Sequence, residues 1–361
     1  MRVAVTGASG NIGVHLLERL HGEPDVEEVV AISRRPPGEP TGPLADGVTW
    51  HAVDISSPDA AGRLTEAFAG CDVVVHLAWL IQPSHAPDVM HATNIEGSRT
   101  VFGALRAAGV RNLVYASSVG TYSRAPKQPR QDETWPRDGI EGSLYSRQKA
   151  AVERILDGVE REDPQLRVVR IRPAVVTSAT AAASQTRYFL GPFVPSFLVP
   201  YVPVVPAIPR LELQVVHSED VAAAFAAAVR SDVRGAVNVA DEPVLTPQVI
   251  AEVLDARVVP YPLPTAAALA ALQATWLLRL QPVDPGWLAM GLGVPVMDTT
   301  RARTELGWTP AHDARDALRE AVDGVRRGTG GATPVLRPAA SLAARVSGGL
   351  RSLFPSSGGR I

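Results

Sequence analysis

A single cysteine, Cys71, stands in 361 residues. It can close no internal disulfide and build no thiolate metal site alone, which fits the reducing cytoplasm. An excess of charge is also missing: 35 Lys and Arg against 37 Asp and Glu leave a net charge of −2. Without a basic field the chain is not expected to bind nucleic acid, and a small-molecule partner is expected instead. The N-terminus has no basic segment followed by an apolar one, so no secretory signal is read there. Two charge-free stretches, 188–208 and 258–278, approach the length of a membrane span. Pro192, Pro195, Pro200, Pro203 and Pro206 break the first, and Pro260, Pro262 and Pro264 leave the second only about 14 helical residues before Arg279. His76, His85 and His91 show no ligand spacing, so no metal is expected.

What the first 175 residues do contain is a regular alternation. Short β-branched runs at 3–6, 28–32, 48–53, 73–77, 113–117 and 167–170 alternate with helical stretches at 12–20, 58–68, 90–108 and 144–158. That order predicts an α/β fold with a doubly wound parallel sheet. After Pro173 the alternation stops. Residues 174–327 read mainly as a smaller substrate-binding lobe, with 217–240 returning to the sheet domain of 1–173, and 328–361 read as a flexible basic tail. Thr246 before Pro247 predicts a capped helix start.

Gly7, Gly10 and Gly13 lie directly between the first strand and the first helix, in Thr-Gly-Ala-Ser-Gly-Asn-Ile-Gly. Glycine there permits a tight turn and brings a pyrophosphate close to bare N–H groups at the positive end of a helix. Gly7, Gly10, Asn11, Ile12 and Gly13 are therefore the candidate phosphate contacts, although the spacing departs from G-x-G-x-x-G. Where an NAD site carries an acid for the ribose 2′-hydroxyl, the second strand runs into Ser33, Arg34 and Arg35. Two guanidiniums suit a 2′-phosphate, so NADP is expected in preference to NAD. The plainer reading of that turn is a solvated basic surface.

Tyr145 and Lys149 are four residues apart on a predicted helix and share a face. A cation beside a phenol lowers its pKa and equips it for proton transfer near neutrality. Ser117 and Ser118 end the fifth predicted strand, on the edge where open α/β sheets bind ligands.

These residues resemble the extended short-chain dehydrogenase/reductase family, in its NAD-dependent epimerase/dehydratase branch, over most of residues 1–310. Further matching segments are Val53-Asp54-Ile55, His76-Leu77-Ala78, Thr93-Asn94-Ile95-Glu96-Gly97-Ser98, Tyr115-Ala116-Ser117-Ser118, Arg172-Pro173, His217 with Asp220-Val221, and Leu306-Gly307-Trp308-Thr309-Pro310. The resemblance implies a Rossmann-type sheet and hydride transfer with Tyr145 as acid/base. It implies that Lys149 holds the nicotinamide ribose and that Ser118, rather than Ser117, polarises the substrate oxygen. Asp54, Ile55, Leu77, Ala78 and Pro173 are implied to line the cofactor, Asn94 to position it, and His217 to be structural. A homodimer is implied through helices 90–108 and 144–158.

Two departures concern the substrate side. Arg172-Pro173 continues as Ala174-Val175-Val176 where sugar-nucleotide members carry Tyr-Gly-Pro, and Ser123 follows Tyr122 where glycine is usual. The expected activity is an NAD(P)-dependent oxidoreduction of a carbonyl or secondary alcohol on a largely apolar substrate. A sugar-nucleotide epimerase or dehydratase with tightly held NAD is the alternative, with Arg187, Arg210 and Arg301 as a diphosphate clamp. A non-catalytic dinucleotide-sensing regulator is the reading from another class. Between 324 and 361 there are six arginines and no acid, and an apolar stripe runs through 338–354. Weak adsorption of that tail to an anionic membrane is the functional reading set against a solubilising tail.

Overall fold

The computed structural model describes residues 1–82, 84–190, 204–259 and 261–338. Valine and isoleucine runs become strands buried on both faces, as strands of a parallel sheet covered by helices must be, while the edge strand Val48–Ala52 stays partly exposed. In chain order these are β1 (Arg2–Thr6), β2 (Glu28–Ser33), β3 (Val48–Ala52), β4 (Val73–His76), β5 (Asn112–Ala116) and β6 (Arg167–Pro173). Strand Gly235–Val239 pairs in parallel with β6 and completes a seven-stranded sheet. Its order is Gly235–Val239, β6, β5, β4, β1, β2, β3, so the winding direction reverses between β1 and β4. Ligands of such sheets bind beyond the carboxyl ends of the strands at that reversal.

The period-two alternation of β1 divides the core. Val3 and Val5 face one side, with Leu16, Leu17 and Leu20 of α1 (Asn11–His21) and Val221 and Phe225 of helix Ser218–Val229. Ala4 faces the other, with Leu64 and Phe68 of α2 (Ala60–Phe68). The predicted helix over 90–108 is three pieces: α3 (Pro87–His91), a π-helical turn at Ala92–Glu96, and α4 (Gly97–Ala107). The wide turn carries Asn94, and π-helical turns of this kind recur at functional sites. The longest helix among the described residues, α5 (Leu144–Glu162), lies on the same side of the sheet as α2 and α4.

Beyond β6, the strand Val175–Thr177 pairs with Val215–His217, and helices Thr265–Leu277 and Gly286–Gly293 form a cover. Thr246 caps the helix Pro247–Val253, its hydroxyl accepting from the Val249 N–H. No helix among the described residues is long and apolar enough to cross a membrane. The last helix among the described residues, Ala314–Arg327, is closed by Gly328 at φ +64°. Residues 329–338, which composition assigns to a flexible tail, are packed: Thr333 and Leu336 are buried. Gly330 and Gly331 serve a fold-back there, since a Cβ on Gly330 would lie 2.3 Å from the Leu336 carbonyl oxygen. The apolar stripe at 338–354 lies outside the described residues, apart from its first residue.

One ion pair is sealed inside the molecule. Glu153 on α5 accepts a two-pronged bond from Arg172 on β6, at 2.9 and 2.6 Å. The pair is extended by Tyr122, which receives Arg172 Nη1 at 2.9 Å and donates to Asn238 Oδ1 at 2.6 Å. Burial raises the Glu153 pKa, but the bonds and charge of Arg172 outweigh it and hold the carboxyl below its ordinary value. Removing one member of such a pair strands the other charge. Glu153→Leu is therefore expected to cost about 3–5 kcal/mol in urea unfolding, and adding Arg172→Met should recover much of it. Parental unfolding of the single variant would show that the pair does not hold the two elements together.

Candidate active site

The glycine loop is built by close approach. Gly7 and Ala8 both donate backbone N–H to the Ile32 carbonyl, at 2.8 and 3.2 Å, which seats the loop on the end of β2. Gly7 adopts φ +75°, and a Cβ there would lie 2.6 Å from the Ala78 nitrogen, so Leu77 and Ala78 bound the loop on the β4 side. A Cβ on Gly13 would meet the Ala8 oxygen at 2.5 Å. Gly10 is the N-cap of α1 and supplies no side chain, which leaves the first-turn N–H groups of Asn11, Ile12 and Gly13 without a side-chain cap. This bare, positive helix end fits a pyrophosphate. The Asn11 side chain is used elsewhere, donating to Ser218 at 2.7 Å and accepting from Ser178 at 3.1 Å. Asn11 therefore offers the site its backbone.

Beyond β2, the Ser33 hydroxyl is buried with no hydrogen-bond partner, an orphan donor at the end of the strand. Arg34 and Arg35 follow it. Asp54 accepts from the backbone and hydroxyl of Ser56 at 3.0 and 2.6 Å, which tightens the turn after β3, and Ile55 packs under Gly97. Pro173 is buried at the end of β6.

Tyr145, Lys149 and Glu153 form one stripe of α5 facing the sheet edge. Lys149 is buried and donates to the Ala116 carbonyl at 2.7 Å, with its ammonium 3.6 Å from the centre of the Trp79 ring. Burial pushes this ammonium well below its usual range, with the Glu153 carboxylate acting in the opposite sense. The two serines are told apart by their partners. Ser117 donates to Glu153 and shares a 2.9 Å bond with Thr121, so its hydroxyl belongs to the ion-pair network. Ser118 caps the turn Val119–Thr121 and acts on the Tyr145 phenol in the sense that lowers its pKa.

The electrostatics of Tyr145 correct one expectation. A lysine four residues on was expected to lower the phenol's pKa, yet burial raises it to about 12, against a lowering by Ser118 alone. The Lys149 ammonium lies 5.9 Å from the phenol ring centre and turns toward Trp79 and Ala116 instead. The phenol is thus an acid throughout the neutral range.

Asn94 joins two elements. Its Oδ1 accepts from the Leu80 N–H at 2.7 Å, and its Nδ2 donates to Leu80 O at 2.9 Å and to Gln148 Oε1 at 2.8 Å. The segment after β4 is thereby tied to α5 beside Lys149. Behind it, Ser98 donates to the Asn94 carbonyl and so receives the His76 Nε2–H, while Thr6 donates to His76 Nδ1. Burial, aided by the Lys149 charge, lowers the His76 pKa to about 3, so this is a neutral core histidine.

Sequence reasoning missed Trp79, Gln148 and Glu153. Trp79 stands edge-on to Tyr145 at 6.0 Å and has a buried, unpartnered indole N–H. Trp287 lies 5.0 Å from Tyr145, with Phe189 edge-on to it at 5.2 Å. His217 caps helix Ser218–Val229 by accepting from the Glu219 N–H, and its ring stacks on His312 at 3.8 Å. The three arginines of the diphosphate clamp have separate partners: Arg187 binds the carbonyls of Val335 and Arg337, Arg210 that of Ala125, and Arg301 those of Ala236 and Arg234 with Glu305.

Gly7→Ala tests the loop. A side chain at positive φ that must also displace the Ala78 backbone is expected to abolish dinucleotide binding in fluorescence titration, because neither backbone can yield cheaply. Binding at parental affinity would contradict this account of the loop.

The family model described as the NAD dependent epimerase/dehydratase family matches residues 3–240. An uncharacterized protein of Mycobacterium tuberculosis is 28% identical over 349 residues, covering 93% of this chain and 86% of that one. Sterol-4-alpha-carboxylate 3-dehydrogenase, decarboxylating, of Candida albicans is 27% identical over 207 residues, 52% of this chain and 57% of that one. Among solved structures, UDP-glucose 4-epimerase of Thermus thermophilus in complex with NAD superposes with a TM-score of 0.65 at 23% identity, over 90% of this chain and 99% of that one. With a seven-stranded Rossmann-type sheet and the glycine loop at its head, this chain belongs to the NAD-dependent epimerase/dehydratase family.

Proposed function

We propose that the protein is an NADP-linked oxidoreductase that interconverts a carbonyl and a secondary alcohol on a largely apolar substrate. The observation that carries this reading is the wall around the reacting phenol: Trp79 and Trp287 flank Tyr145, and Phe189 backs Trp287. Such a pocket favours an apolar body with one polar atom to orient. Similarity to a sterol carboxylate dehydrogenase supports the same direction. NADP preference is supported by Arg34 and Arg35 following the orphan hydroxyl of Ser33.

When bound, the nicotinamide gives or takes the hydride. Ser118 donates a hydrogen bond to the substrate oxygen, and Tyr145 gives that oxygen its proton in reduction or removes it in oxidation. Lys149 is held at the sheet edge beside Trp79 by the Ala116 carbonyl, and Asn94 with Gln148 keeps the neighbouring loop in place. The acid form of Tyr145 is the one needed for reduction. Below about 12 it predominates, so reduction stays level through neutral pH, while oxidation, which needs the phenolate, climbs with pH.

Tyr145→Phe is expected to lose about 10²–10⁴-fold in turnover with dinucleotide affinity nearly unchanged. In the parent, the alcohol-oxidation rate should rise about tenfold per pH unit through neutrality. Parental turnover in the variant, or an oxidation rate that levels off near pH 7, would contradict the assignment.

A sugar-nucleotide epimerase or dehydratase is the second reading, favoured by the fold shared with the Thermus epimerase. Mass spectrometry of ligands released from purified protein separates the two: retained NAD supports the epimerase, and exchangeable NADPH the reductase. The assembled Ser118, Tyr145 and Lys149 weigh against a purely regulatory role.

We further propose a homodimer through the open groove between α4 and α5, lined by Arg99, Phe102, Gly103, Ile155 and Val159. Light scattering should give twice the 38.2 kDa chain mass, and Val159→Arg should halve it. A parental protein of single-chain mass would end the proposal.

A further inference from the structure

The chain returns to its own glycine loop after helix Ala314–Arg327. Thr333, fully buried, donates to the Ser9 carbonyl at 2.7 Å across 324 residues of sequence. Leu336 is 1% exposed and fixes the strap against the fold-back at Gly330 and Gly331. Two residues beyond Thr333, the Val335 carbonyl accepts from Arg187, and the Arg337 carbonyl does so at 3.0 Å. The same loop is seated on Ile32, one residue before Ser33, Arg34 and Arg35. The strap therefore brings a guanidinium from the far lobe to the corner where β2 ends.

The electrostatics agree with this placement. Burial lowers the Arg187 pKa; Tyr188 acts in the opposite sense and the Arg35 cation adds to the lowering. The buried Tyr188 phenol, raised by burial, feels the charges of Arg187, Arg34 and Arg35 together. A partly buried cation that feels the charge of a second one is stabilised where an anion completes the site. A guanidinium has five N–H donors, and two carbonyls leave donors for a phosphate.

We infer that Arg187, held in place by the strap of residues 329–338, is a third guanidinium of the 2′-phosphate site and a determinant of cofactor choice. This rests on the NADP reading above. It makes the C-terminal segment part of cofactor recognition and couples closure of the strap to occupancy of the adenosine end.

The test is fluorescence titration of the full-length protein with NADPH and NADH. Arg187→Gln should weaken NADPH by about ten- to a hundredfold, the value of one charge-assisted contact, and NADH by less than about twofold, with Arg187→Lys in between. Leu336→Asp, which lifts the strap, should lose the same discrimination while the melting temperature and NADH binding report an intact fold. Should Leu336→Asp fail to fold, Arg187→Gln decides alone. A parental preference for NADH would overturn the NADP reading and this inference with it. Parental NADPH preference that is lost in Arg34→Ala/Arg35→Ala but kept in Arg187→Gln would overturn the inference only. Equal weakening of both cofactors by Arg187→Gln would assign Arg187 to the shared pyrophosphate or to general structure, and would also overturn it.

Discussion

The buried pair of Glu153 and Arg172 sets the position of everything that reacts. A carboxylate and a guanidinium sealed from water must satisfy each other closely, so α5 has little freedom to slide along β6. Tyr145, Lys149 and Glu153 recur every four residues on that helix, and fixing the lowest of them fixes the other two. The same carboxylate takes the hydroxyl of Ser117. What remains at the end of β5 is Ser118, directed to the phenol.

Around this anchor, the site combines two environments that ordinary water would blur. Around Tyr145, aromatic rings exclude solvent, and exclusion dominates the titration of the phenol even though a lysine stands one turn away. A nearby cation lowers a phenol's pKa only where it faces the oxygen. Lys149 faces a carbonyl and an indole ring. At the end of β2, Arg34 and Arg35 make the turn cationic, and the third guanidinium proposed for it, Arg187, comes from a segment more than 150 residues away in the sequence.

The cover over the sheet follows from glycine and turn chemistry more than from hydrophobic period. Gly7 allows two backbones to approach, the wide turn at Ala92–Glu96 brings Asn94 beneath the loop after β4, and Gly330 with Gly331 folds the C-terminal strap back on Leu336. Composition alone cannot separate this last use of glycine from a flexible linker, because both need the same residue. The difference lies in whether an apolar side chain such as Leu336 finds a surface to cover.

Local pattern was enough to determine the parallel α/β sheet, the glycine loop at its head and the pair Tyr145 and Lys149, because each is written in residues close together in the chain. Period two and period 3.6 set strands and helices, and a four-residue spacing sets a shared helix face. Which serine is spent on an ion pair, where Lys149 points, and that Trp79 and Trp287 enclose the phenol were decided only by tertiary structure. So was the tie between Arg187 and the glycine loop, since Arg187 bonds the Val335 and Arg337 carbonyls of a strap anchored on Ser9. Charge and solvent access act through space, and the distances that govern them exist only once the chain has folded.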